Sequence, residues 1–137
     1  MIKVKRIAHV AMAVEDLDGT AAKLCAAFGL SPEGREVVAL QKVETLMLPV
    51  GDAAVELIAP RGNEGLTRFL EKRGPGLHHV ALEVESIEEA LASLAALGVP
   101  LVDREPRIGA HGHKVAFVHP KATGGVLVEL VEPEHAS

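Results

Sequence analysis

The sequence predicts an α+β fold in which one βαβββ module occurs twice in tandem. The segment HVAMAV at 9–14 matches HVALEV at 79–84 in four of six residues, and VELIAP at 55–60 matches VELVEP at 128–133 equally well. The repeats are 70 and 73 positions apart, a spacing that indicates an internal duplication. Because 137 residues favour one domain, we expect the two modules to share one core.

The first module, about residues 1–60, begins with a strand at 6–14. A helix follows, with Asp16 or Asp18 as its cap and Gly29 as its end. Its apolar residues recur at helical spacing: Leu17, Ala21, Leu24 and Phe28. Three strands are then predicted near 35–39, 42–49 and 53–59, the last two joined by the turn Gly51-Asp52.

The second module, about residues 77–133, repeats this order after a linker at about 61–76 that carries a short helix. Its first strand is predicted at 77–84, and its helix has Ser86 and Glu89 as a capping box and Gly98 as its end. The helical apolar residues are Ile87, Leu91, Leu94 and Leu97. Strands are predicted near 100–104, 113–119 and 125–131, with a hairpin turn at Gly124-Gly125.

The composition argues against several classes of partner. The formal net charge is −5, and the chain has no Trp, no Tyr and only three Phe, so a nucleic-acid surface is not expected. Cys25 is the only cysteine and cannot form an internal disulfide. With no signal segment or long apolar span recognised, we expect a cytoplasmic protein.

The duplicated residues include four side chains that can bind metal. Strand alternation places His9 and His79 opposite the bulky apolar residues of their strands, and Glu56 and Glu129 likewise oppose their apolar neighbours. A carboxylate in an apolar strand is costly to bury unless it is paired or bound to metal. Imidazole and carboxylate together suit Co, Mn, Ni, Fe or Zn, and four such ligands leave a six-coordinate ion open to substrate. His78 points to the opposite face and is interpreted as structural.

These features carry a family resemblance. The order His, Glu, His, Glu in paired modules resembles the vicinal-oxygen-chelate superfamily, whose modules form a U-shaped, partly closed mixed sheet around a metal (the glyoxalase/bleomycin-resistance/dioxygenase fold). Within it, GLHHVALEV at 76–84, EPRIGA at 105–110 and KVAFVHPKATGGVLVELVEP at 114–133 are similar to the methylmalonyl-CoA epimerase family. The resemblance covers residues 1–137 as a single domain.

The resemblance implies an isomerase that interconverts (2R)- and (2S)-methylmalonyl-CoA by metal-assisted proton transfer at the carbon next to the thioester. It implies metal ligands at His9, Glu56, His79 and Glu129, with Co²⁺ as the expected ion and Mn²⁺, Ni²⁺ or Zn²⁺ as alternatives. It also implies an acyl-CoA substrate and a homodimer.

Two side chains are expected to move the proton, one on each face of the substrate. The resemblance offers Glu129 as one and Glu44 as the other. The second assignment depends on an alignment anchored at Pro49, and counting from Gln41 would place Thr45 there instead.

The approach to the site is expected to be basic, because a coenzyme A thioester is polyanionic. The candidates are Arg104, Arg107, Lys114 and Lys121. The segment IGAHGHK at 108–114 resembles a glycine-containing loop over the site, and its His111 and His113 are not expected to be metal ligands.

Three other functions stay open. Glyoxalase I, or lactoylglutathione lyase, shares the ligand order and also forms an enolate-like intermediate. An extradiol dioxygenase needs two histidines and one carboxylate, which leaves Glu56 unexplained. A metal-free small-molecule binding protein of the same fold would have no reason to keep all four ligands.

Overall fold

The structure is a computed structural model that describes residues 2–134. The chain divides into two compact units, one formed by His9–His78 and the other by the residues up to Ala8 together with those from His79 onward. Within the described residues, no helix combines the length and apolar character needed to span a bilayer.

The unit His9–His78 is a mixed sheet with helices. Its elements are β1 (Val4–Ala13, whose second half belongs here), α1 (Leu17–Phe28), β2 (Glu33–Val38), β3 (Val43–Val50), β4 (Ala53–Pro60) and α2 (Glu64–Arg73). The strand order is β2-β3-β4-β1, with β4 parallel to β1 and the other pairs antiparallel. The predicted Gly51-Asp52 turn joins β3 to β4, and Gly51 has the positive φ of 57° that such tight hairpins require.

Helix α1 begins and ends as the sequence predicts. The side chain of Asp16 accepts a hydrogen bond from the backbone N–H of Gly19, and Gly29 ends the helix in the left-handed conformation. The helix packs on one face of the sheet. The buried core there consists of Val14, Leu17, Ala21, Leu46, Leu48, Leu57 and Ala59.

The second unit repeats the arrangement. Its elements are β5 (Gly76–Val84), α3 (Ile87–Ala96), β6 (Arg107–Ile108), β7 (Lys114–Val118) and β8 (Val128–Glu132). The strand order is β5-β8-β7-β6, again with one parallel pair, β5 and β8. Ser86 caps α3 through the backbone N–H of Glu89, and a buried core that includes Ile87, Leu91 and Leu130 lies between α3 and the sheet.

The second module differs from the prediction at one strand and one turn. The segment 100–104 is not a strand: Leu101 makes a single bridge to Val118, and the edge strand is the short β6. The cause is Asp103, whose carboxylate accepts a hydrogen bond from the backbone N–H of Phe117 and so replaces the next ladder bond. The expected Gly124-Gly125 hairpin is also a longer connection, because a 3-10 turn at Pro120–Ala122 precedes it and β8 starts only at Val128.

Candidate active site

The first histidine–glutamate pair forms within the unit His9–His78. In the parallel register of β1 and β4, Ala11 lies opposite Glu56. His9 precedes Ala11 by two residues, so its side chain lies on the same face. Nε2 of His9 is 3.5 Å from Oε1 of Glu56, and the two residues are only 8% and 5% exposed. The prediction that each of these side chains lies opposite the bulky apolar residues of its own strand is therefore confirmed.

The second pair forms in the same way within the other unit. Ala81 lies opposite Glu129 in the parallel register of β5 and β8, and His79 precedes Ala81 by two residues. Nε2 of His79 is 3.3 Å from Oε1 of Glu129, and each residue is 5% exposed. The two units thus share the strand register of the pair and the contact between its side chains, as well as the repeated sequence.

The geometry of each pair fits a shared divalent metal ion. Nitrogen and oxygen ligands lie about 2.1 Å from such an ion, so two neighbouring ligands at right angles are about 3 Å apart. The observed separations of 3.3 and 3.5 Å come close to this value. Neutral imidazole and carboxylate also form the donor set that transition metals take in proteins. The residues present therefore fit the metal that the resemblance implies.

Glu44 is buried but belongs to a charged network. It is 7% exposed, and its carboxylate accepts a hydrogen bond from Arg61 and lies 3.4 Å from Nη1 of Arg35. Arg35 in turn pairs with Asp18 at the start of α1. The sequence did not point to these arginines, because Arg35 comes from β2 and Arg61 directly follows β4, and no local pattern connects them to Glu44.

Strand alternation separates Glu44 from Glu56. Glu44 lies opposite Ala59 and Thr45 lies opposite Ile58. Ala59 belongs to the core under α1, whereas Ile58 shares the face of Glu56. The register therefore places Thr45, the alternative reading, on the face of Glu56 and places Glu44 on the face of α1. A proton-transfer role for Glu44 stays a prediction.

The four basic residues expected near the substrate differ in their contacts. Arg107 pairs with Asp103 at 3.3 Å, and Lys114 pairs with Glu88 at 2.8 Å. The second contact is a side-chain hydrogen bond that lowers the pKa of Glu88 and raises the pKa of Lys114. The two other candidates, Arg104 and Lys121, have exposed side chains.

Three histidines outside the two pairs, His78, His111 and His113, have different surroundings. His78 packs edge-on against Phe69 at 4.9 Å between ring centroids, which supports its structural interpretation. In the loop before β7, Nδ1 of His113 accepts a hydrogen bond from the backbone N–H of Glu134. His111 has a positive φ of 60° in a 3-10 turn at Ala110–Gly112.

Comparison with known proteins identifies the family. The model of the glyoxalase/bleomycin resistance protein/dioxygenase superfamily matches residues 8–117, which is most of the chain. The chain therefore belongs to this superfamily, and the predicted α+β fold of paired βαβββ modules is confirmed. The mitochondrial methylmalonyl-CoA epimerase of Mus musculus is 39% identical over 132 residues, covering 93% of this chain and 73% of the mouse protein.

Solved structures agree with this assignment. The methylmalonyl-CoA epimerase from Mycobacterium tuberculosis is 34% identical, has a TM-score of 0.92, and the match covers 96% of this chain and 90% of that one. A methylmalonyl-CoA epimerase in complex with methylmalonyl-CoA and NH4+ is 32% identical, with a TM-score of 0.89 and 96% of both chains covered. The resemblance noted in the sequence is thus confirmed over nearly the whole chain.

Proposed function

We propose that this protein is a methylmalonyl-CoA epimerase that interconverts the (2R) and (2S) forms of its substrate with the help of one divalent metal ion. The observation that carries the proposal is the pair of buried His–Glu contacts, at 3.5 and 3.3 Å, in a chain that is similar to epimerases over almost its full length. The reaction is proton removal and return at the carbon between thioester and carboxylate.

In this proposal His9, Glu56, His79 and Glu129 together hold the ion, with Co²⁺ expected and Mn²⁺, Ni²⁺ or Zn²⁺ as alternatives. When bound, the ion supplies Lewis-acid chemistry, which lowers the free energy of negative charge on the substrate oxygens. The two residues opposite the glutamates, Ala11 and Ala81, are small and fully buried.

Glu129 is proposed to move the proton on one face of the substrate carbon. Its carboxylate faces the imidazole of His79 and lies on the same strand face as Val131, which is 4% exposed. Burial among such residues keeps water from competing for the proton. A carboxylate has two oxygens, so one of them can bind metal while the other accepts a proton.

The resemblance implies that Glu44 acts on the opposite face of the substrate, and we keep this role as a proposal, although the register places Glu44 on the α1 face of the sheet, opposite to Glu56. Its pairing with Arg61 and Arg35 holds the carboxylate in place. The same pairs also give Glu44 a structural role beside α1. The experiment on Glu44 must therefore separate proton transfer from stability.

Substrate entry is proposed to use the exposed Arg104 and Lys121, which can attract the phosphates of coenzyme A over a distance. Arg107 and Lys114 are each already paired with a carboxylate and would contribute less. A cytoplasmic location, expected from the sequence, and a homodimer, implied by the family resemblance, complete the proposal.

The direct test is solvent deuterium incorporation into methylmalonyl-CoA by the Co²⁺-loaded protein, followed by mass spectrometry and chiral analysis. We expect exchange at the substrate carbon and interconversion of the epimers, both lost when the metal is removed and restored when Co²⁺ returns. His79→Ala should lose both, whereas His78→Ala is the matched control and should keep both. A metal-loaded protein that exchanges no deuterium would refute the proposal.

The same protein preparation can be assayed for the three alternative functions. Turnover of methylglyoxal and glutathione without exchange of methylmalonyl-CoA would make the protein a glyoxalase I. Oxygen consumption with a catechol would indicate an extradiol dioxygenase. Failure to bind Co²⁺ at all would favour the metal-free binding protein.

The role of Glu44 is tested with each epimer separately. If Glu44 and Glu129 serve opposite faces, Glu44→Gln should abolish epimerisation while one epimer still exchanges its proton with retention of configuration. The stability of the variant is measured by urea unfolding on the same sample. Equal exchange of both epimers at the wild-type ratio would remove Glu44 from proton transfer and leave it a structural residue.

A further inference from the structure

Phe117 in β7 lies beside both members of the second histidine–glutamate pair. It is the strand partner of Glu129 in the antiparallel register of β7 and β8. Its backbone N–H donates to the carboxylate of Asp103, and its carbonyl accepts from the N–H groups of Val102 and Asp103. Because both backbone groups point away from β8, Phe117 and Glu129 form a non-hydrogen-bonded pair, in which the Cα atoms are only about 4.5 Å apart and the side chains are close.

The ring of Phe117 also packs against His79. The ring centroids are 5.3 Å apart and the planes are nearly perpendicular, at 89°. This edge-to-face arrangement is favourable for aromatic pairs. It also restricts the imidazole, because rotation of the buried His79 ring would drive it into the phenyl ring. The orientation that is held is the one in which Nε2 of His79 faces Oε1 of Glu129.

At the position that corresponds to Phe117, the first half of the chain has a residue that is not aromatic. The strand partner of Glu56 is Met47, at the position that corresponds to Phe117. Methionine is flexible and fills space without fixing the orientation of a neighbour. The two halves therefore have the same pair of proposed ligands but different neighbours: Met47 lies opposite Glu56, and Phe117 lies opposite Glu129.

We propose that Phe117 is a positioning residue that fixes His79 and Glu129 for metal binding. The inference rests on the proposed metal site. Phe117 acts through the two ligands and offers no donor atom of its own. Its loss should therefore weaken metal binding and alter the geometry around the ion without removing the site.

The test compares Phe117→Met and Phe117→Leu with the wild-type protein by Co²⁺ titration calorimetry and by the visible absorption of bound Co²⁺. Phe117→Met reproduces the residue that the first half has at this position. From the usual strength of an aromatic pair, we expect Co²⁺ affinity to fall about three- to tenfold. We also expect the Co²⁺ band to shift or change intensity, since its position and strength depend on the arrangement of the ligands.

The matched control is Phe69→Leu. Phe69 makes a similar contact with His78, at 4.9 Å and 73°, but His78 is not a proposed ligand. This variant loses the same kind of aromatic contact and should leave Co²⁺ affinity and absorption unchanged.

The outcomes separate this inference from the proposed function. If the wild-type protein binds no Co²⁺, the metal site itself is wrong. If the wild-type protein binds Co²⁺ and a folded Phe117→Met binds it with equal affinity and the same spectrum, Phe117 has no positioning role. Should Phe117→Leu fail to fold, as judged by circular dichroism, the methionine variant with its longer side chain decides the question.

Discussion

Strand β8 carries two buried glutamates on opposite faces: Glu129 contacts His79, and Glu132 contacts the start of α3. Replacing Glu132 tests whether this second glutamate serves stability and not metal binding. Glu132 is 9% exposed, and its Oε1 accepts a 2.8 Å hydrogen bond from the backbone N–H of Ile87, the first residue of α3. A hydrogen bond to a charged group contributes about 1.5–3 kcal/mol. A carboxylate at a helix N-terminus adds about 0.3–1 kcal/mol. We therefore expect Glu132→Ala to lower the free energy of unfolding by about 2–4 kcal/mol.

The assay is urea unfolding followed by circular dichroism, with Glu132→Gln as the control. Glutamine keeps an acceptor oxygen for Ile87 and should lose only about 1 kcal/mol, through the missing charge. Because Glu132 faces α3 and Glu129 faces His79, the folded Glu132→Ala protein should bind Co²⁺ with wild-type affinity. An alanine variant within about 0.5 kcal/mol of wild type would refute the capping argument. A large loss of Co²⁺ affinity at unchanged stability would refute the assignment of faces.

Three more predictions follow from the structure. Saturating Co²⁺, at about 100 times its dissociation constant, should stabilise the wild-type protein and His78→Ala by about 2.7 kcal/mol in thermal unfolding, because the ion binds only the folded state. The variant His79→Ala should gain no such stability, and equal stabilisation of the two variants would contradict the ligand assignment. Gly51→Ala should cost about 1 kcal/mol in urea unfolding, because φ at Gly51 is 57°, and an unchanged midpoint would contradict this. Since its hydrogen bond with Lys114 lowers the pKa of Glu88, Glu88 stabilises the fold above its unfolded pKa and loses this contribution as the pH falls through the folded pKa. The free energy of unfolding of Glu88→Gln should therefore be lower than that of the wild type at neutral pH and converge with it in acid, and 1 M salt should reduce the difference, because both side chains of the pair are about half exposed.

The duplicated pattern is what made most of the fold predictable from the sequence. Both α1 and α3 show their caps in the sequence, Asp16 and Ser86, and both helices begin directly after them. The His–Glu pairs could be predicted because strand alternation places all four residues opposite apolar neighbours. A single copy would not have distinguished a ligand from a solvated charge, whereas two matched copies favour a ligand role, which stays a prediction.

The failures lie where tertiary contacts replace local signals. The expected strand at 100–104 contains Asp103, whose side chain takes a hydrogen bond that a strand would have taken from the backbone. The face of Glu44 depends on the pairing of β3 with β4, which the spacing to Pro49 does not determine. Phe117 could not be linked to His79, because their contact joins strands that are distant in the chain.

The register that builds the core also aims the proposed ligands. In β4, Leu57 and Ala59 pack under α1, and Glu56 therefore points the other way. A slip of one residue would turn Glu56 toward α1 and Leu57 toward the histidine. Removing Leu57, which is fully buried, from the core would cost about 1.5–3 kcal/mol, in addition to the cost of placing an unmatched carboxylate there. The same alternation therefore stabilises the fold and fixes the direction of the ligand, so that selection for a packed core also preserves the site.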